Sequence, residues 1–272
     1  MCVIINRVKA LTVCMVGILM KEKERMNEIK IALQLWSIKE ACEENFEDSL
    51  RKVATMGYDG VEFAGYYGLE ATTLKALLDE NELQVAASHI SYDALKNNFE
   101  EVIAYEKTIG NQNIVVPFLQ ADSLDEWYTY FDNLKVWQEE ITAQGMNLFY
   151  HNHAHEFTQI QGKDMMKEML IAVPNLLVEL DTYWVKYAGV DVLNWLKDHQ
   201  ISVRLLHIKE MLETAKGYQS TEIGNGIMPI EDLVNFAKNQ HIEWLIIEQE
   251  AFQNNKPLES AQVNLKQLSK II

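Results

Sequence analysis

The sequence predicts an α/β protein, a single (β/α)8 TIM barrel, and three observations point there. Eight short apolar runs alternate with longer amphipathic stretches at roughly thirty residues per unit, the spacing of repeated βαβ modules. Together these units fill about 250 residues, the usual length of one such barrel. The 4 prolines and 12 glycines are scattered, so no linker marks a second domain. An open doubly wound sheet uses the same alternation. Eight units filling the chain favour closure, and no GxGxxG or GxxxxGK-Ser/Thr fingerprint opens any helix.

The candidate strands are 29–36, 60–64, 84–90, 113–118, 147–151, 176–181, 203–208 and 244–248. Each is brief, rich in β-branched or aromatic residues, and has Gly, Asn or Asp nearby. Between them, Phe46, Leu50, Val53 and Ala54 keep the i, i+4, i+7, i+8 stripe of a helix that Gly57 is placed to end. Residues 124–143 read as a longer helix, capped by Asp122 or Ser123 and stopped by Gly145. Ile230, Leu233, Val234 and Ala237 form another stripe, with Pro229 suited to its first turn.

Lys+Arg 24 against Asp+Glu 40 leaves a formal net charge of −16. A general nucleic-acid binder needs a basic surface to displace counterions, so nucleic acid is not the expected partner. Cys2, Cys14 and Cys42 are the only cysteines. An odd set without a CxxC pair suits a reduced, cytoplasmic protein better than a disulfide scaffold. Arg7 and Lys9 precede an apolar run, 10–20, and charged residues 21–25 follow it. The run is shorter than the roughly 20 residues that span a bilayer, and no small-x-small cleavage site follows it. Residues 1–25 are therefore expected to be an extension outside the fold. A start at Met26 leaves residues 26–272 as the barrel, with no membrane partner.

In a β/α barrel the chemistry gathers at the C-terminal ends of the strands. The fifth candidate strand leads into His151, Asn152, His153, Ala154, His155 and Glu156, and period-two alternation puts His151 and His153 on one face. The sixth ends in Glu179 and Asp181 on a common face, the seventh in His207 and Lys209, and the eighth in Glu248 and Glu250. Singly, each has an ordinary structural explanation: a hydrogen-bonded His207, a helix cap at Asp181, a solvated Glu248. Together they bring imidazoles and carboxylates from four consecutive strands to one barrel mouth. Inward carboxylates so placed repel one another unless a cation sits among them. Mixed nitrogen and oxygen donors suit one divalent ion, Mn²⁺, Zn²⁺, Co²⁺ or Fe²⁺ rather than Mg²⁺. Glu62, His89 and Glu179 are candidates to hydrogen-bond a polyol, and Trp36, with Tyr183 and Trp184, to supply an aromatic wall.

These residues carry a resemblance. Tyr150-His-Asn-His-Ala-His-Glu-Phe157, Glu179-Leu-Asp-Thr-Tyr-Trp184, Leu206-His-Ile-Lys209, Glu222-Ile-Gly-Asn-Gly226 and Ile247-Glu-Gln-Glu250 follow Gly60-Val-Glu-Phe-Ala-Gly65. In that order and spacing they resemble the sugar phosphate isomerase/epimerase family of xylose isomerase-like TIM barrels, in its His-Asn-His subgroup. The likeness runs from Ile29 to the C-terminus. It implies one divalent metal held by Glu, Asp, His and Glu from the fifth to eighth strands, with Asp181, His207 and Glu248 in the last three positions. His151 stands where the ketose 3-epimerases have glutamate, and Glu156 is the alternative fourth ligand. In those epimerases the first and last glutamates move the substrate proton, so the proton-transfer pair here differs. Some relatives are inosose dehydratases or act on 3-keto-glycosides by elimination.

The expected activity is a metal-dependent isomerase or epimerase of a sugar or sugar-like polyol. It removes a proton next to a carbonyl through an enediolate that the metal stabilises. Glu248 is the candidate base, with His153, Glu156 or Lys209 completing the acid–base set. Lys209 alternatively holds a phosphate or hydroxyl as a point charge. The alternative is a lyase that starts with the same proton abstraction and ends in β-elimination. Asp181, His207 and Glu248 argue against a carbohydrate sensor on a decayed barrel, and the charge balance argues against an apurinic endonuclease. The expected partner is a small carbohydrate, and a homo-oligomeric state is left open.

Overall fold

The computed structural model describes residues 29–272, so the expectation for residues 1–25 lies outside the described residues. Eight parallel strands are β1 (Lys30–Gln34), β2 (Gly60–Phe63), β3 (Gln84–His89), β4 (Asn113–Val116), β5 (Asn147–His151), β6 (Leu177–Asp181), β7 (Val203–Ile208) and β8 (Trp244–Ile247). They close into one barrel in sequential order, because β1 pairs with both β2 and β8. Helices α1 (Lys39–Met56), α2 (Ala71–Glu80), α3 (Tyr92–Ile109), α4 (Leu124–Ala143), α5 (Met165–Ala172), α6 (Thr182–Tyr187), α7 (Val192–Asp198), α8 (Ile230–Gln240) and α9 (Pro257–Leu268) lie between or after the strands. No helix among the described residues is long and apolar enough to cross a membrane.

The local signals act mostly as the sequence suggests. Gly57 ends α1 in the left-handed region at φ 99°, its N–H donating to the Ala54 carbonyl. Ser123 rather than Asp122 caps α4, its hydroxyl accepting from the Glu126 N–H. Pro229 sits one position earlier than expected, as the N-cap of α8. Several strands end sooner than the apolar runs do. The Gln34 side chain accepts from the Trp36 N–H at 3.0 Å and turns the chain into a 3-10 turn, Leu35–Ile38. After Val116 comes Pro117, which has no N–H for the ladder. Two antiparallel hairpins, Gln159–Ile160 with Lys163–Asp164 and Glu210–Thr214 with Gly217–Thr221, were not anticipated. Their polar, short runs carry too little alternation to read as strands.

Alternation along the strands divides the core in two. Val61, Phe63, Val116, Leu148, Tyr150, Val178, Leu206 and Ile247 face outward into the large layer shared with the helices. Ala32, Ala86, Ala87, Val115, Phe149, Leu205, Trp244 and Ile246 fill the barrel interior. The small alanines make room for the Trp244 ring. A Cβ on Gly60 would lie 2.5 Å from the Gln84 carbonyl oxygen and 2.8 Å from that ring. Gly60→Ala is expected to lower stability by about 1–3 kcal/mol through overpacking. Urea denaturation reads it as a lower midpoint with an unchanged slope, and an unchanged midpoint contradicts the packing argument.

Candidate active site and metal centre

The inward positions change character toward the C-terminal ends of the strands. Above Ala32 comes Gln34, above Phe149 comes His151, above Leu205 come His207 and Lys209, and above Ile246 comes Glu248. Glu62, Glu179 and Asp181 join them from β2 and β6, and all are buried.

His207 occupies the centre. Its Nε2 is 2.7 Å from Glu62 Oε2 and 3.3 Å from Glu179 Oε2. Its Nδ1 is 3.2 Å from Glu248 Oε2 and 4.0 Å from Asp181 Oδ2. Gln34 Nε2 also donates to Glu62 Oε2, at 2.6 Å. Burial disfavours a charged His207, yet Glu179 and Glu62 hold its pKa well above the usual imidazole range. Burial likewise opposes ionised Glu179 and Glu248. The imidazolium-capable rings around Glu179, and Lys209 with His207 beside Glu248, nevertheless keep both carboxyls well below the usual range. Burial, reinforced by Glu179, raises Glu62 to about 7, and burial raises Asp181 to about 6.

Asp181 shows how one side chain serves two purposes. Its Oδ1 accepts from the Trp184 N–H at 3.0 Å and caps α6. That bond fixes the carboxylate and leaves Oδ2 buried without a hydrogen-bond partner. Asn152 clamps the same place from the residue after β5, its Oδ1 accepting from the Asp181 N–H and its Nδ2 donating to the Asp181 carbonyl. The middle residue of His-Asn-His is thus a backbone clamp, a role sequence reasoning missed.

Lys209 is fully buried, 3.1 Å from Glu250, 3.3 Å from Glu248 and 3.8 Å from Asp181, with its ammonium against the Tyr183 and Trp184 rings. Burial works against its charge, but these carboxylates raise its pKa above the normal lysine range.

Above this cluster opens a cavity of about 500 Å³. His89, His151, His153, Glu248 and Glu250 line it, with Trp36 and Phe118 among its walls. His153 Nδ1 has no hydrogen-bond partner, and burial lowers its pKa to about 4. Two expectations are corrected here. Glu62 and Glu179 do not reach the cavity as polyol ligands, because both point into the imidazole cluster beneath it. Glu156 does not join the mouth either. Tyr150 OH donates to its Oε1 at 2.7 Å and the His153 N–H to its Oε2 at 2.9 Å. Tyr150 faces the outer layer, and Glu156 follows it.

Asp181 Oδ2, Glu248 Oε2 and His207 Nδ1 converge closely enough for one ion to contact all three. Asp181 Oδ2, buried without a hydrogen bond beside an imidazole nitrogen and a second carboxylate, with Lys209 Nζ 3.8 Å away, fits a divalent cation of borderline softness. His151 falls outside that trio and groups instead with His89, Glu179 and His207.

Known proteins share this architecture. The chain is 25% identical over 249 residues to the inosose dehydratase of Clostridium botulinum (strain Alaska E43 / Type E3), covering 76% of this chain and 83% of that protein. A sugar phosphate isomerase/epimerase from Parabacteroides distasonis superposes with a TM-score of 0.77 at 21% identity, covering 89% of this chain and 98% of that one. The 3-keto-D-glucoside 4-epimerase of E. coli superposes at 0.65 with 15% identity, covering 89% and 100%. Likeness at the identities of these two structures speaks for the fold alone. The model of the xylose isomerase-like TIM barrel matches residues 50–270, and the chain belongs to that family.

Proposed function

We propose that the protein is a divalent-metal-dependent enzyme that moves a proton on the carbon next to the carbonyl of an unphosphorylated sugar or sugar-like polyol, acting as an isomerase or epimerase. The observation that carries this reading is the presence of Glu248 and His153 on one cavity directly above a buried donor set. Asp181, His207 and Glu248 would hold the ion, which when bound supplies Lewis acidity to substrate oxygens. The contacts of Glu248 with His207 and Lys209 use Oε2, which leaves Oε1 to take a proton. His153 comes from the end of β5, three strands around the barrel from β8, with its Nδ1 free of partners. Two proton carriers on different sides of one cavity suit removal at one face or carbon and return at another. Trp36 and Phe118 offer apolar faces to a sugar ring. Among the described residues no Lys or Arg lines the cavity, and Lys209 is committed to three carboxylates, so a phosphate would meet Glu248 and Glu250 instead.

The likeness to inosose dehydratase favours elimination of water as a second reading, and it begins with the same proton abstraction. Incubation in D₂O with candidate ketoses, inosose and keto-glycosides separates the two. Deuterium entering recovered substrate or its epimer, without loss of water or aglycone, supports the isomerase. Release of either product supports the lyase, and neither outcome with any candidate overturns both. Chelator treatment is expected to abolish exchange, and Mn²⁺ or Co²⁺ to restore it. Glu248→Gln is expected to lower kcat by about 10²–10⁴ with its melting temperature close to wild type. A kcat within tenfold of wild type excludes Glu248 as the base.

A further inference from the structure

The two ring nitrogens of His207 face two different groups of donors. Nδ1 faces Asp181 and Glu248, the set assigned above. On the Nε2 side lie His89, His151, Glu179 and Glu62, contributed by β3, β5, β6 and β2. We propose that His89 Nε2, His151 Nδ1 and the Glu179 carboxylate form a second metal site for a zinc-class ion, Zn²⁺ or Co²⁺, beside the Asp181–Glu248 set.

Glu179 Oε2 lies 2.7 Å from His89 Nε2 and 3.2 Å from His151 Nδ1. Donors at the corners of a tetrahedron around zinc, about 2.0–2.1 Å from the ion, are separated by about 3.3 Å. The set therefore needs only small adjustments to close on an ion. Two of its polar atoms have no other use. His151 Nδ1, despite its proximity to Glu179, is not in hydrogen-bonding geometry with it and has no partner. Glu179 Oε1 is equally without one, and both residues are buried. Two imidazoles and a glutamate form a known class of zinc donor set, with a fourth position left for solvent or substrate.

His207 is not needed as a ligand in this set. With a neutral ring protonated at Nε2, Glu62 Oε2, 2.7 Å away, accepts that N–H. This holds the Nδ1 lone pair toward Asp181 and Glu248, a carboxylate–histidine–metal arrangement. The two ions then occupy opposite sides of one oriented imidazole. His89 and His151 both line the cavity, which provides an entry path for the ion.

The test strips the full chain of metal and titrates it with Co²⁺, reading stoichiometry by elemental analysis and position by anomalous diffraction. Wild type is expected to hold two ions, with one anomalous peak between His89, His151 and Glu179. His89→Asn and Glu179→Gln, each checked by thermal melting, are expected to keep one ion and lose that peak. Asp181→Asn, which retains the capping oxygen, is expected to keep the peak and lose the other ion. A wild type with one ion and no density between His89, His151 and Glu179 overturns the second site while leaving the proposed function standing. One ion at the histidine set alone supports the second site and removes Asp181 and Glu248 from the proposed function. No ion at either place overturns both. The wild-type diffraction result decides the matter even where a variant fails to fold.

Discussion

The barrel mouth depends on the sharing of one buried imidazole among four carboxylates. His207 has no solvent contact and stands between Glu62 and Glu179 at one nitrogen and Glu248 and Asp181 at the other. Each of these carboxylates loses hydration on burial; neighbouring cation-capable groups outweigh that loss at Glu179 and Glu248 but not at Glu62 and Asp181. Lys209 does on the Asp181–Glu248 side what His89 does on the Glu179 side. Removing the central ring would leave two pairs of like charges facing each other across the space it fills. The positions of the surrounding side chains follow from that arrangement.

Strand alternation delivers the groups that make it. The lower interior is filled by the Trp244 ring with Phe149, Val115, Leu205 and Ile246. Polar inward positions begin one or two residues above that plug, where strands end and loops allow ions or substrate to enter. The outer layer is far larger and holds the helices against the barrel. Packing there carries the stability that the charged mouth lacks.

Legibility in the sequence followed the strength of the physical signal. β5 and β7 match the apolar runs residue for residue, because nothing before their last residues interrupts the ladder. β1 and β4 stop early, where a Gln side chain caps a turn and a proline lacks its donor. Alternation expects His151 with His153 and Glu179 with Asp181 on shared faces; the structure lines the cavity with the two histidines and buries the two carboxylates. Depth was not legible, since alternation distinguishes inside from outside but not which side chain lies above another. Glu62 and Glu179 therefore appeared as substrate contacts although they lie under the cavity floor. Glu156 was offered as a ligand that folds back to the metal, yet it has the same parity as outward-facing Tyr150 and bonds to its hydroxyl. Gly226, part of the matched motif, serves the architecture. A Cβ there would lie 2.1 Å from the Met211 carbonyl oxygen and 2.6 Å from Glu210 Oε1.

The cost of this mouth is itself an argument about its purpose. Replacing buried ion pairs by well-packed apolar residues is often neutral or stabilising by about 1–4 kcal/mol. A barrel selected for stability alone would continue its Leu, Ile and Val layers upward from Leu205 and Ile246. This chain instead buries Glu62, Glu179, Asp181, His207 and Lys209 completely and leaves Asp181 Oδ2 and Glu179 Oε1 without hydrogen bonds. The Asp181 cap of α6 needs only one carboxylate oxygen, and the clamp from Asn152 acts on backbone atoms. Neither structural role uses Oδ2, which faces the Lys209 ammonium at 3.8 Å without a hydrogen bond. The groups that fold stability leaves unexplained lie directly beneath the cavity lined by His89, His151, His153 and Glu248 at the strand ends.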